Sequence, residues 1–148
     1  MVGQNDEQHA TGTTLHELCA EHGRAGEMLR RQISPGEQVD MYFVGKNTEI
    51  LALTRRSLYI IKPGLLPMSG PSVVGFPYHE VTNVAVHASR GRFAFEVRTA
   101  ATLPADPASV SDEIEYNIPN VVSLEAQGLP EFEGALTLVL ERVANARR

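Results

Sequence analysis

The segment Glu49–Lys62, read as EILALTRRSLYIIK, constrains the fold more than any other part of the sequence. Two short runs rich in isoleucine, leucine and tyrosine flank the polar turn Thr54–Ser57. Runs of this length and composition, joined by a short polar turn, are typical of two paired β-strands. The segment therefore predicts a β-hairpin whose strands are buried on at least one face.

The bulk composition indicates a soluble globular protein with one main domain. The chain has 148 residues, of which 43% are hydrophobic and 21% are charged, values that are ordinary for such proteins. No apolar run approaches the roughly 18 residues of a membrane-spanning helix. The polar first residues contain no apolar signal core, and the single cysteine, Cys19, excludes an internal disulfide. These features predict a cytoplasmic location.

The charge distribution is uneven along the chain. The formal net charge is −5, which argues against general nucleic-acid binding. The central segment Met41–Arg98 nevertheless contains seven basic and three acidic residues, whereas the remainder contains six basic and fifteen acidic residues. The sequence is therefore mildly basic in the middle and acidic towards both ends.

The first third of the chain predicts a tail and a helix. Residues 1–13 are polar and are expected to be disordered. Thr14 and Glu17 have the spacing of a capping box, so a helical extension is predicted over residues 14–34, with a possible break at Gly23. Its apolar stripe consists of Leu15, Leu18, Cys19, Ala25, Met28, Leu29 and Ile33. This stripe either packs on the outside of the main domain or pairs with another chain, which includes a second copy.

The rest of the chain alternates short apolar runs with turn residues, which predicts seven strands. We expect them at Val39–Val44, Glu49–Leu53, Ser57–Ile61, Val73–Phe76, Val81–His87, Arg92–Arg98 and Ile114–Ile118. In the sixth, Phe93, Phe95 and Val97 are expected to face inward and Arg92, Glu96 and Arg98 outward. Pro63–Ser72 and Thr99–Ser111 read as loops, and Pro119–Gly128 as a connection.

The C-terminal segment changes from strand to helix periodicity. Phe132, Leu136, Val139, Leu140 and Val143 lie at helical spacing. Such a helix can close one end of the strand assembly and bury its apolar stripe there. The predicted fold is therefore mainly β with α, a seven-stranded antiparallel barrel or sandwich capped by a C-terminal helix and preceded by an N-terminal one.

Three segments of the sequence resemble the bacterial domains of the pleckstrin-homology superfold. They are Gly36–Val39, Leu51–Ile61 and Phe76–Val84, which look like the "GE" start, the "LT-x-R" hairpin and the "P-Y-x-x-[IV]-T" strand entry of those domains. The resemblance covers roughly residues 35–145 and places the domain at residues 35–148. It implies a fold and a binding role rather than a reaction.

Two surfaces are candidates for binding. Relatives that bind phosphoinositides resemble one another in a basic cluster on the first two strands, where this chain offers only Lys46. The candidate contact residues are instead Lys62, Leu65, Leu66 and Met68 around the Pro63–Ser72 loop, and Arg55 and Arg56 in the hairpin turn. Alternatively, the loop residues complete the core and the arginines are only solvated.

No sequence motif indicates catalysis or a bound cofactor. His16, Cys19 and His22 are spaced so that they drift around a helix and converge poorly on a metal ion. The segment HELCAEH has Ala20 where a zincin motif has its second histidine, and no nucleophile elbow occurs. We therefore predict no catalytic residue, no metal site and no cofactor.

Three functions remain open from the sequence. The preferred one is a non-catalytic interaction module that binds a protein or peptide through a barrel edge, the Pro63–Ser72 loop or the N-terminal helix. The second is peripheral binding to anionic membrane surfaces through the basic residues and the same loop. The third is a ligand-binding barrel or enzyme with a pocket lined by Tyr59, Tyr78, His79 or Tyr116.

Overall fold

The computed structural model describes residues 14–64, 71–89, 91–102 and 118–148. Four predictions from the sequence lie wholly or mostly outside these residues. They are the disordered tail at residues 1–13, the apolar loop residues Leu65, Leu66 and Met68, the loop at Thr99–Ser111, of which only residues 99–102 are described, and the strand at Ile114–Ile118, of which only Ile118 is described.

Seven strands and three helices make up the described fold. Helix α1 covers residues 14–21 and α2 covers Gly23–Gln32, so the predicted helix is broken where Gly23 suggested. The strands are β1 (Val39–Val44), β2 (Ile50–Thr54), β3 (Ser57–Lys62), β4 (Ser72–Pro77), β5 (Val81–Ser89), β6 (Arg92–Thr99) and β7 (Val121–Leu124). Helix α3 covers Leu129–Ala146, as its periodicity predicted.

The strands form two antiparallel sheets rather than a closed barrel. One has the order β1-β2-β3-β4 and the other the order β5-β6-β7. The predicted hairpin is the pair β2 and β3, in register from Ile50 opposite Ile61 to Leu53 opposite Leu58. At the β5–β6 turn, Gly91 has φ +75°, a conformation that glycine adopts without strain. The predicted sandwich with a C-terminal helix is confirmed.

The main core lies between the two sheets and α3. Side chains of β2, β3, β5, β6 and β7 meet Phe132, Ala135, Val139 and Val143 of α3 there. Phe132 packs against the Phe43 and Phe95 rings, with centroids 5.7 and 6.0 Å away. The helix is therefore an integral part of the core.

A second core covers the outer face of the four-stranded sheet. Leu18 of α1 and Ala25 and Leu29 of α2 pack there on Val39, Ile50, Ala52, Tyr59 and Ile61. Gly26 allows the two helices to approach closely, because a Cβ there would lie 2.6 Å from the Cα of Cys19. The N-terminal stripe thus packs on this chain's own sheet, and both faces of β2 and β3 are buried.

One strand lies where the sequence predicted none. Strand β7 lies in the Pro119–Gly128 segment that was predicted to be a connection, and it pairs with β6 from Phe93 opposite Leu124 to Glu96 opposite Val121. All four of its residues are buried, so the segment lacks the alternation that marks a half-exposed strand. A short 3-10 helix follows at Ala126–Gly128.

The outward face of β6 also differs from the prediction. Phe95 and Val97 face the core as expected, but Glu96 is fully buried. Ala94 and Val121 are buried beside it, whereas His87 and Arg98 at the same place remain partly exposed. The Glu96 carboxylate lies within hydrogen-bonding distance of His87, at 2.8 Å, and pairs with Arg98 at 2.9 Å.

No helix of the described residues combines the length and the hydropathy that a membrane-spanning helix requires.

Candidate binding cleft

The β2–β3 turn fixes the backbone that bears Arg55 and Arg56. The hydroxyl of Thr54 accepts hydrogen bonds from the backbone amides of Arg56 and Ser57, at 3.2 and 3.1 Å. The same hydroxyl donates to Oε1 of Glu37 at 2.6 Å. A threonine that satisfies turn amides in this way stabilises a tight turn. The two arginines therefore start from an ordered backbone, and both are exposed as the sequence predicted.

A second set of hydrogen bonds holds the backbone carbonyl of Thr54 at the start of the turn. The Thr54 carbonyl accepts from Nη1 of Arg142 at 2.6 Å and from the Tyr78 hydroxyl at 2.7 Å. Nη2 of Arg142 lies 2.9 Å from Oδ2 of Asp40. Burial raises the pKa of Tyr78, so its hydroxyl keeps the proton that it donates. Arg142 thus connects α3, β1 and the hairpin turn.

These elements border an open cleft of about 580 Å³, which we call the arginine cleft. It is lined by Ser34–Gln38, Asp40, Arg55 and Arg56. Gly36 has φ +86°, so the turn between α2 and β1 that forms one wall requires a glycine there. The cleft therefore has one wall from the loop after α2 and one from the hairpin turn.

The two acidic residues of the cleft are already engaged. Asp40 pairs with Arg142. Glu37 accepts hydrogen bonds from Thr54 and, at 3.3 Å, from the backbone amide of Ser34. Within the described part of the chain, the guanidinium groups of Arg55 and Arg56 have no hydrogen-bond or ion-pair partner. Since the donors to Glu37 are neutral, its charge remains, and Arg55, Arg56 and Arg142 against Glu37 and Asp40 leave the cleft with a net charge of +1.

Lys62 is not a surface residue, and its prediction as a contact residue is wrong. Its side chain is 1% exposed, and its ammonium group pairs with the buried carboxylate of Glu49 at 3.3 Å. The sequence suggested that Lys62 is exposed, because it lies at the end of a strand next to a loop and lysine is rarely buried unless it is paired. Of the predicted contact residues that the structure describes, only Arg55 and Arg56 line the cleft.

The pocket residues proposed for a ligand-binding barrel are not brought together. Tyr59 belongs to the core under the N-terminal helices, and Tyr78 belongs to the core between the sheets. The side chain of His79 is exposed, and Tyr116 lies outside the described residues. A second cleft, of about 450 Å³, lies between α2 and the start of β4 and includes Arg24, Arg31 and Val73 in its lining.

The histidines and the cysteine of the N-terminal helices are dispersed. His16 is exposed, whereas Cys19 and His22 are half-buried. Desolvation raises the pKa of the Cys19 thiol, which disfavours the reactive thiolate. In the described ranges, no three histidine, cysteine or acidic side chains are placed to hold a metal ion.

Sequence comparison identifies no relative, but structure comparison identifies the fold. No protein-family profile matches the chain, and no curated protein matches its sequence. The pleckstrin homology domain from Shewanella amazonensis SB2B is similar with a TM-score of 0.57 and 14% identity, over 95% of this chain and 98% of that one. A duf1696 family protein with a pleckstrin-homology domain from Shewanella loihica PV-4 gives 0.48 and 17%, over 90% and 93%.

Proposed function

We propose that this chain, whose fold is pleckstrin-homology-like, is a non-catalytic interaction module that binds an acidic segment of a partner protein in the arginine cleft. The observation that carries this proposal is the pair of exposed guanidinium groups of Arg55 and Arg56 at a cleft whose own acids are engaged. Arginine is well suited to such a role, because its planar fork of donors matches a carboxylate in two parallel hydrogen bonds.

The support under the hairpin turn favours binding without rearrangement. Thr54 is held by Glu37, Tyr78 and Arg142, so the backbone of the two arginines is ordered before a ligand arrives. A ligand then pays mainly for ordering two side chains rather than a loop. An extended peptide with acidic side chains fits an open cleft better than a small molecule does, since small-molecule sites usually enclose most of their ligand.

The composition of the cleft supports binding rather than catalysis. Its described lining residues include no histidine or cysteine, the side chains that most often act as base or nucleophile. The carboxylates of Asp40 and Glu37 are held by Arg142 and Thr54.

The double substitution Arg55→Ala and Arg56→Ala tests the proposal. We expect the dissociation constant of an acetylated octapeptide of alternating aspartate and glycine to rise about tenfold or more at low salt, because two charge-assisted hydrogen-bonding groups are removed. Isothermal titration calorimetry at several salt concentrations measures this, and binding should weaken as salt is added.

The matched control is Arg24→Ala with Arg31→Ala, which removes the same charge from exposed positions of α2. It should leave the affinity within about twofold at about 0.15 M salt, because neither arginine lines the cleft and salt at this concentration screens exposed charges. Equal losses for both double variants, or equal binding of an asparagine–glycine peptide, would contradict a specific cleft. Binding to phosphatidylserine vesicles but not to the peptide would replace the protein partner with a membrane surface.

A further inference from the structure

A pair of buried charges lies away from the arginine cleft. Glu49 directly precedes β2 and Lys62 ends β3, and their side chains are 0% and 1% exposed. Oε1 of Glu49 lies 3.3 Å from Nζ of Lys62. Removing two charges from water costs several kcal/mol each, so such a pair needs a full set of hydrogen bonds to be stable.

This pair joins the two sheets at one end of the sandwich. Nζ of Lys62 donates to the carbonyl of Ile118 at 2.6 Å, and Oε1 of Glu49 accepts from the backbone amide of Ser123 in β7 at 3.3 Å. The β1–β2 turn closes over the same place, where a Cβ on Gly45 would lie 2.4 Å from the Ser123 carbonyl. We call the group formed by Glu49, Lys62, Ile118 and Ser123 the inter-sheet clamp.

The second carboxylate oxygen of Glu49 lacks a partner. Oε2 is buried, and no described residue donates a hydrogen bond to it. Leaving a charged oxygen buried and unsatisfied costs more than leaving a neutral carboxyl group there. Burial accordingly raises the pKa of Glu49 to about 7, although the attraction of Lys62 and the Ser123 amide oppose this shift.

The groups that face Glu49 come from three elements. Strand β3 contributes the ammonium group of Lys62, and β7 contributes the amide of Ser123, which is not titratable. The β1–β2 turn contributes the backbone carbonyl of Lys46, which accepts from the Glu49 amide at 3.2 Å. Among the described residues, the ionisation of Glu49 is therefore governed by its burial, by Lys62 and by the hydrogen bonds from the amide and the side chain of Ser123.

We propose that Glu49 makes the inter-sheet clamp proton-dependent, so that the closed clamp is most stable when Glu49 is protonated and opens locally more often once Glu49 has ionised. When the clamp is open, water reaches Glu49 and its pKa lies near the ordinary value of 4.5. When the clamp is closed, the pKa of Glu49 is about 7, so the carboxyl group keeps its proton to a higher pH. The closed state thus binds the proton more tightly, and its advantage is full below pH 4.5 and is lost as the pH rises to about 7. The opening would occur at the end of the hairpin opposite to the arginine turn and does not depend on the cleft.

Hydrogen exchange of single amides tests the proposal on the full chain. Protection factors of the Gly45 and Ser123 amides, corrected for intrinsic exchange, should fall on the order of 50-fold between pH 5 and pH 8. The amide of Phe95, in the middle of β6, serves as the internal reference and should change far less. Glu49→Gln, which imitates the protonated side chain, should abolish the pH dependence at Gly45 and Ser123.

Two results would overturn the clamp. One is protection at Gly45 and Ser123 that does not change with pH in the native chain; the other is a pH dependence that survives Glu49→Gln. If that variant does not fold, carbon-13 NMR titration of the Glu49 carboxyl group in the native chain decides. A midpoint near 7 supports the clamp, and one at or below 4.5 contradicts it.

Discussion

Replacing Lys62 with methionine is expected to lower the free energy of unfolding at pH 8 by about 2–4 kcal/mol, because Glu49 loses its counter-charge and must take up a proton to stay buried, and the Ile118 carbonyl loses its donor. The same variant should lose less at pH 5, where Glu49 holds its proton in the folded state. Urea denaturation at the two pH values measures both losses.

The double variant Glu49→Leu with Lys62→Met tests whether the loss of stability comes from leaving one member of the buried pair without its partner. Replacing both charges with apolar side chains of similar volume is often neutral or stabilising, so the double variant should recover most of the loss. Arg24→Met, which removes an exposed charge from α2, should change stability by less than about 0.5 kcal/mol. A loss below about 1 kcal/mol for Lys62→Met would show that Glu49 is not ionised in the folded state at pH 8 or that the pair is hydrated.

Leu29→Ala is expected to cost about 2–5 kcal/mol, because Leu29 is fully buried between α2 and the outer face of the four-stranded sheet. The loss combines the transfer of the side chain to water with the cavity that remains. Thermal or urea unfolding of the full chain measures it. The prediction follows from the N-terminal helices being part of the folded unit.

Leu140→Ala in α3 is the matched control. Leu140 is 43% exposed, so the same truncation should change stability by at most about 0.5 kcal/mol. If Leu29→Ala had an equally small effect, the N-terminal helices would not be anchored on the sheet. Their apolar stripe would then be available to another chain.

Periodicity in the sequence was enough to predict most of the fold. The hairpin of β2 and β3 has continuous apolar runs because the main core covers one of its faces and the N-terminal helices cover the other. The stripe of α3 has the 3.6-residue period because one side of this helix packs into the core. These signals are local, so a single sequence reveals them.

The elements that were missed depend on contacts between distant parts of the chain. Strand β7 is buried on both faces and only four residues long, so it has no alternation to detect. Glu49 and Lys62 pair across the open end of their hairpin, and Glu96 lies within hydrogen-bonding distance of His87 from the neighbouring strand. Charged residues are usually exposed, and only the tertiary fold shows which of them are not.

The arginine cleft was predictable only in part. The hairpin turn that bears Arg55 and Arg56 is visible in the sequence, because the four polar residues Thr54–Ser57 interrupt apolar runs. The cleft receives Glu37 from the loop before β1 and Asp40 from β1 itself. Arg142, which pairs with Asp40, comes from α3. Nothing in their local sequence indicates that they meet, so the engagement of the two acids could not be foreseen.

Mapping the binding surface by NMR tests the central claim most directly. The full chain, labelled with nitrogen-15, would be titrated with the aspartate–glycine octapeptide, and amide shift changes would be followed residue by residue. A partner site in the arginine cleft predicts that the largest changes occur at Ser34–Gln38 and Thr54–Ser57. Changes concentrated at Arg24, Arg31 and Ser72, or spread evenly over the basic residues, would contradict it.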